Sequence, residues 1–368
     1  MVGPVVSGSS STTTVVDNNV STAVTTVSGS AGATITTTVT KSLQGSLSAY
    51  FTGGATTLSA ISSATVTSSP SAQPCIVALS PTGSITGSGS PNLTMPNCSL
   101  RSNNTIVMSG GATQTTAGYY AASTITVPAW FTTTGAQYPN SGTIPDPYAS
   151  NSAMQAAFTT VKGLSGTTNV TCSNQNCTGL ASGLNGSSCT GIGTGSVTCA
   201  VKPGNYGSFQ VTSGGPYTFN FAPGLYLFAG NMSFLSSNTI NGTGVTIVTS
   251  GSFTGGASFN MNLTAPSSAQ VASTGGVAGV LLASSSSATS TFSGSSAMQP
   301  TGVFYFPNAT LAATASTMFD VSSSACVEII AGSVTLSGGG YFNSNCSSVN
   351  AVSFGSVATT TSQPKLSM

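Results

Sequence analysis

The chain is 368 residues long and carries five Lys or Arg, four Asp or Glu and no His. Charged residues make up 2% of it, while Ser (65), Thr (57) and Gly (44) fill 166 positions; an ordinary soluble domain is about 25% charged. That balance excludes nucleic-acid binding through clustered Lys and Arg and a polybasic membrane patch, and removes His as general base or metal ligand.

The opening Met1-Val2-Gly3-Pro4-Val5-Val6 has neither a charged n-region nor an apolar h-region, so any export signal is expected outside this sequence. No later stretch approaches the ~20 apolar residues of a membrane span. Residues 20–42 alternate Thr, Val and Ile with small polar residues around Ser28-Gly29-Ser30-Ala31-Gly32, which predicts two strands. Residues 57–67 read as a third, giving an N-terminal antiparallel module over 1–72 that ends in the linker Ser69-Pro70-Ser71-Ala72-Gln73-Pro74. A disulfide-bonded domain is expected over 73–360. Within it the one helical pattern runs from Ala149 to Val161, where Ala153, Met154, Ala156, Ala157, Phe158 and Val161 could share a face.

The eight cysteines (Cys75, Cys98, Cys172, Cys177, Cys189, Cys199, Cys326 and Cys346) form an even set, which points to disulfides and an oxidising compartment. Eight cysteines allow 105 connectivities; the expectation is sequential pairing. Zinc on Cys172, Cys177, Cys189 and Cys199 is a weaker alternative, because their spacing does not match the usual paired knuckles.

From residue 200 a coarse repeat sets in. Pro203-Gly204-Asn205-Tyr206 returns twenty residues later as Pro223-Gly224-Leu225-Tyr226, and Gly244-Val245-Thr246-Ile247-Val248 follows at a similar interval. Gly279-Val280-Leu281-Leu282, Gly302-Val303-Phe304-Tyr305-Phe306 and Cys326-Val327-Glu328-Ile329-Ile330 are further short apolar runs. Short strands at such a period suit an all-β, right-handed parallel β-helix, whose rungs bury their inward side chains only by stacking about 4.8 Å apart. A stacked Thr file can exchange hydroxyl hydrogen bonds where a stacked Lys or Glu file would repel. A β-sandwich of short strands is the competing fold.

Five motifs in order then carry a resemblance: Cys75-Ile76-Val77-Ala78-Leu79-Ser80-Pro81 with Leu93-Thr94-Met95-Pro96-Asn97-Cys98; the two Pro-Gly-x-Tyr segments; Gly242-Thr243-Gly244-Val245-Thr246; Leu263-Thr264-Ala265-Pro266; and Gly302-Val303-Phe304-Tyr305-Phe306-Pro307-Asn308-Ala309 leading to Cys326. Over residues 35–350 the set resembles the surface part of TadG-like proteins of the tight-adherence (Flp) pilus system. The resemblance implies an exported bacterial structural protein, envelope- or pilus-associated, without catalytic activity. The sequence departs from that family in lacking the N-terminal membrane-spanning segment and in being more charge-depleted.

Candidate chemistry is sparse. Asp17, Asp146, Asp320 and Glu328 are the carboxylates; Asp146, between Pro145 and Pro147, is expected to cap a backbone N–H. Asp320 and Glu328 flank Cys326 and would be the pair for glycosidase chemistry. A Ser nucleophile would need Lys41, Lys162 or Lys202 buried beside it as its base. No catalytic residue, metal or cofactor is expected. Tyr119, Tyr120, Trp130, Phe131 and Tyr138 are the one dense aromatic group, either a glycan-binding face or packing. The reading is therefore a non-enzymatic extracellular or cell-surface subunit, pilus-associated or filament-forming. Its partners would be further copies, through residues 10–40, or other pilus or envelope proteins. An adhesin or an ice-binding solenoid is the alternative, although Thr-x-Thr does not recur at the repeat period.

Overall fold

A computed structural model of the chain describes residues 10–17, 20–29, 32–43, 56–67, 73–110, 113–128, 132–213, 215–235, 237–293, 297–315, 317–320, 326–344, 346 and 359–366. It divides into two units, Met1–Ser71 with Ser356–Met368, and Ala72–Gly355. In the first, Ser10–Asp17, Val20–Gly29, Gly32–Leu43 and Thr56–Thr67 form an antiparallel meander, and Thr359–Leu366 adds to the far side of Thr56–Thr67. That last strand, TTTSQPKL, has no apolar alternation to announce it, and it belongs to the first unit rather than to the domain expected over 73–360.

The second unit is a parallel β-helix, with three short strands per turn. One turn runs Gly224–Phe228, Met232–Phe234, Asn238–Thr243; the next, Val245–Thr249, Phe253–Gly255, Asn260–Thr264, lies on it in register, with Tyr226 opposite Ile247, Phe234 opposite Gly255 and Ile240 opposite Met261. The Pro-Gly-x-Tyr repeat marks the corner entering the first face. Gly224 has φ +154° there, and a Cβ on it would lie 2.1 Å from Pro203 of the turn below, so only glycine fits. Two residues on, Tyr226 turns inward, and its hydroxyl donates to the carbonyls of Ala222 (2.7 Å) and Val201 (2.9 Å). Tyr206 donates likewise to Lys202.

Inward residues form the core, and like stacks on like. Phe209, Phe234, Phe253, Phe292, Phe319 and Phe342 make a continuous file with ring centroids 5.2, 5.7, 5.1, 5.5 and 5.7 Å apart. Gly255 leaves room for it, since a Cβ there would press on Phe259 at 2.8 Å and Phe292 at 3.2 Å. Outside, on the third face, Asn220, Asn241 and Asn262 form an amide ladder, each side-chain N–H donating to the next oxygen at 3.1 Å.

The first face is apolar on both sides. Its inward file includes Tyr226, Ile247, Leu282, Phe304, Ile329 and Ile76. Its outward file runs Asn205, Leu227, Val248, Ala283, Tyr305, Ile330, Val77, Arg101, Tyr120 and Tyr138. From Leu227 to Tyr120 these are all buried. Helix α1, Ser152–Gly163, contributes to that cover, packing on Gly224–Phe228 and Val245–Thr249. Asn151 caps it, accepting from the Met154 N–H at 2.9 Å, and Met154, Ala157, Phe158 and Val161 face inward. Ala153 and Ala156, expected on the same face, are exposed.

The outward file also shows that rungs are not stacked in chain order. The strand Val327–Gly338 pairs with Pro74–Ala78 and Ser84–Gly89, so the last turn of the chain lies against the first. Residues 74–138 build one end of the stack, α1 leads back along it, and winding restarts at the other end near Val170. Disulfides Cys75–Cys98 and Cys326–Cys346 meet at this seam, with the sulfurs of Cys75, Cys98 and Cys346 within 4.8 Å of one another. Cys172–Cys177 and Cys189–Cys199 each tie an antiparallel hairpin at the Val170 end.

Replacing Cys326 and Cys346 together by Ser is expected to lower stability by about 3 kcal/mol, roughly 5 °C in Tm, against about 2 kcal/mol for the Cys172 and Cys177 pair, whose loop is shorter. Phe292→Ala, in the middle of the ring file, should cost about 3–5 kcal/mol. Denaturant titration with the remaining disulfides verified by mass measures both; equal losses for the two cysteine pairs would contradict the loop-length argument.

Candidate functional site

The aromatic group splits between the two sides of one strand. Tyr119 is wholly buried, its hydroxyl donating to Gln114 Oε1 at 2.7 Å, and burial pushes its pKa up to about 12. Tyr120 points outward and stacks on Tyr138, with centroids 4.7 Å apart and planes 13° from parallel. Tyr138 is 37% exposed. Trp130 and Phe131 lie outside the described residues.

Beneath Tyr120 lies a residue that sequence reasoning missed. Arg101 is 2% exposed, its guanidinium carbon sits 4.5 Å from the Tyr120 ring centroid, and its three nitrogens have no hydrogen-bond partner. Desolvation lowers its pKa, and the Tyr120 hydroxyl opposes that shift. Arg101, Tyr120 and Tyr138 thus form a cation–aromatic column one rung apart. A signal was present: Arg101 is the single cation in the run Cys98-Ser99-Leu100-Arg101-Ser102, which otherwise reads as buried strand.

Asp146 makes the expected turn and more. Its Oδ1 accepts from the Tyr148 N–H at 2.9 Å, and its Oδ2 accepts from the Tyr305 hydroxyl at 2.7 Å, which ties the segment before α1 to the outward file. Tyr305 lies between Tyr148 (4.8 Å) and Phe158 (5.7 Å). Burial raises the pKa of Tyr305, helped by Asp146; burial also raises that of Tyr148, helped by Glu328 and Asp146. The two carboxylates whose charge bears on Tyr148 are therefore Glu328 and Asp146. Asp320 sits opposite Asn343 on the third face and Glu328 opposite Val303 on the first, so the anticipated Asp320–Glu328 pair belongs to different faces. Two hollows of about 460 and 320 Å3 flank Asp146, sharing it with Pro307 and Asn308, and Lys162 lines the smaller.

The sulfurs of Cys177, Cys189 and Cys199 do converge within 4.8 Å, but each is bonded in a disulfide rather than offered as a thiolate. The eight cysteines pair sequentially. No helix among the described residues is long and apolar enough to cross a membrane.

These groups fix the pH response. The chain has no His and its cysteines are oxidised, so buried tyrosines shape its alkaline response. Tyr119, Tyr148, Tyr226 and Tyr305 have raised folded-state pKa values, so their contribution is fully present below the unfolded value of about 10 and is lost as pH rises above it. That tyrosine contribution should be constant up to about pH 9 and fall beyond about 10. Denaturant midpoints across the alkaline range test this, and stability that holds well above about pH 10 would contradict it.

No family model matches the chain, and no curated protein matches it. Among solved structures it is similar to the competence-associated pilin ComZ from Thermus thermophilus, at 9% identity and a TM-score of 0.25, over 97% of this chain and 88% of that one. Agreement at that level does not establish a shared fold.

Proposed function

We propose that the protein is a non-enzymatic structural subunit of the bacterial cell exterior, pilus-associated or self-assembling. The observation that carries this reading is the β-helix itself: a solenoid bound by four disulfides whose outward files on the second and third faces are polar and uncharged. Such a surface has little long-range repulsion to keep copies apart, and disulfides persist outside the reducing cytosol. The motif order shared with TadG-like proteins supports a place in the pilus system. The N-terminal sheet supplies the means of association, through residues 10–40 and the open edge of Ser10–Asp17.

A second reading rests on the third face. Thr198, Thr218, Thr239 and Asn260 form one file, and Ala200, Asn220, Asn241 and Asn262 the file beside it. A flat, uncharged array of this kind would bind by shape and hydroxyl or amide groups, to ice or to a glycan surface. Clear inhibition of ice recrystallisation would favour it.

Electron microscopy of the purified protein at neutral pH is expected to show ordered assemblies that persist in high salt, since few charges are there to be screened. Deleting residues 10–40 should abolish them while the β-helix retains its thermal transition. Dispersed monomers at high protein concentration would overturn the proposal.

A further inference from the structure

Among the described residues, each unit has one protected edge and one bare edge. At the Val170 end of the β-helix all three faces are covered. On the first, the Asn185 side chain donates to the carbonyl of Asn205 at 3.0 Å. On the second, the hairpin containing Cys172–Cys177 pairs with Phe209–Val211, and Asn169 Oδ1 accepts from the Ser208 N–H at 2.8 Å. On the third, the hairpin containing Cys189–Cys199 pairs with Tyr217–Phe221.

The opposite end is built differently. Thr132–Tyr138 pairs with Thr113–Ala121 on one side, and no described strand pairs with its other side. Residues 134–140 are all exposed, including Tyr138 at the end of the cation–aromatic column. The strand, TTTGAQY, contains no charge and no proline, the two features that ordinarily blunt a sheet edge. The antiparallel sheet repeats the asymmetry. Its edge strand Thr359–Leu366 contains Pro364 and Lys365, whereas the edge strand Ser10–Asp17, SSTTTVVD, has neither and is uncharged up to its last residue.

We propose that these two bare edges fit each other: Ser10–Asp17 of one copy adds as a strand to Thr132–Tyr138 of the next, joining copies head to tail. The strands are eight and seven residues long and both are Thr-rich, so a continuous backbone ladder forms between them. The contact is heterologous, since donor and acceptor are different surfaces. It rests on the proposed structural role and adds the acceptor surface and the polarity of assembly.

Complementation of edge variants tests it. Thr13→Pro and Thr134→Pro each place in one edge the residue that ordinarily blunts it. Each full-length variant alone should sediment as a 36.0 kDa monomer with an unchanged thermal transition of the β-helix. An equimolar mixture should give a one-to-one dimer and nothing larger, because each partner retains only one working edge. If Thr134→Pro shifts the thermal transition, Thr134→Lys, at an exposed position, takes its place in the same mixture. Assembly that survives both Thr134 variants, or a mixture that stays monomeric, overturns this inference while leaving the structural role intact. Wild-type protein that never assembles overturns both.

Discussion

In a parallel stack, every side chain has a neighbour at the same position in the rungs above and below, about 4.8 Å away. Whatever occupies a position must tolerate its own kind at that distance. Phenylalanine does so, as the file from Phe209 to Phe342 shows, and asparagine does so through the ladder from Asn220 to Asn262. Lysine and glutamate do not, because stacked like charges repel. The depletion of charge to 2% and the wealth of Ser, Thr and Asn are consistent with that one rule. The corner obeys it too, with Gly224 passing over Pro203 where no side chain could.

The seam is where stacking and chain connectivity part company. Elsewhere a rung is joined to its neighbour by the corner between them. Between Val327–Gly338 and Pro74–Ala78 no such corner exists, and the ladder and the stacking of Ile329 on Ile76 and Ile330 on Val77 hold the two together. Two disulfides stand back to back at that point, each tying its own segment rather than bridging the seam. They add rigidity on both sides of the join, while the join itself remains noncovalent.

Much of this could be read from the residues. The Pro-Gly-x-Tyr repeat gave the corner and the period, and the stripe of Met154, Ala157, Phe158 and Val161 gave the helix. Apolar runs such as Val280-Leu281-Leu282-Ala283 lack alternation because their strands are buried on both sides, a signal of a covered face that strand length alone does not convey. What escaped depends on distant partners. Nothing local in Pro74–Ala78 says that it will pair with residues 327–338, since any apolar strand could serve. Thr359–Leu366 has no pattern of its own and becomes a strand only because Thr56–Thr67 offers an edge. The joint influence of Glu328 and Asp146 on Tyr148, and the burial of Arg101 under Tyr120, likewise arise from tertiary placement.

The order of rungs in space also sets an order in time. A ribosome delivers residues 74–138 early, yet the surface on which they stack is made last, by Val327–Gly338 and Tyr341–Asn343. The early rungs therefore wait as an unsealed fragment until the tail arrives, and a polypeptide interrupted before Val327 has no inner wall for them to close upon.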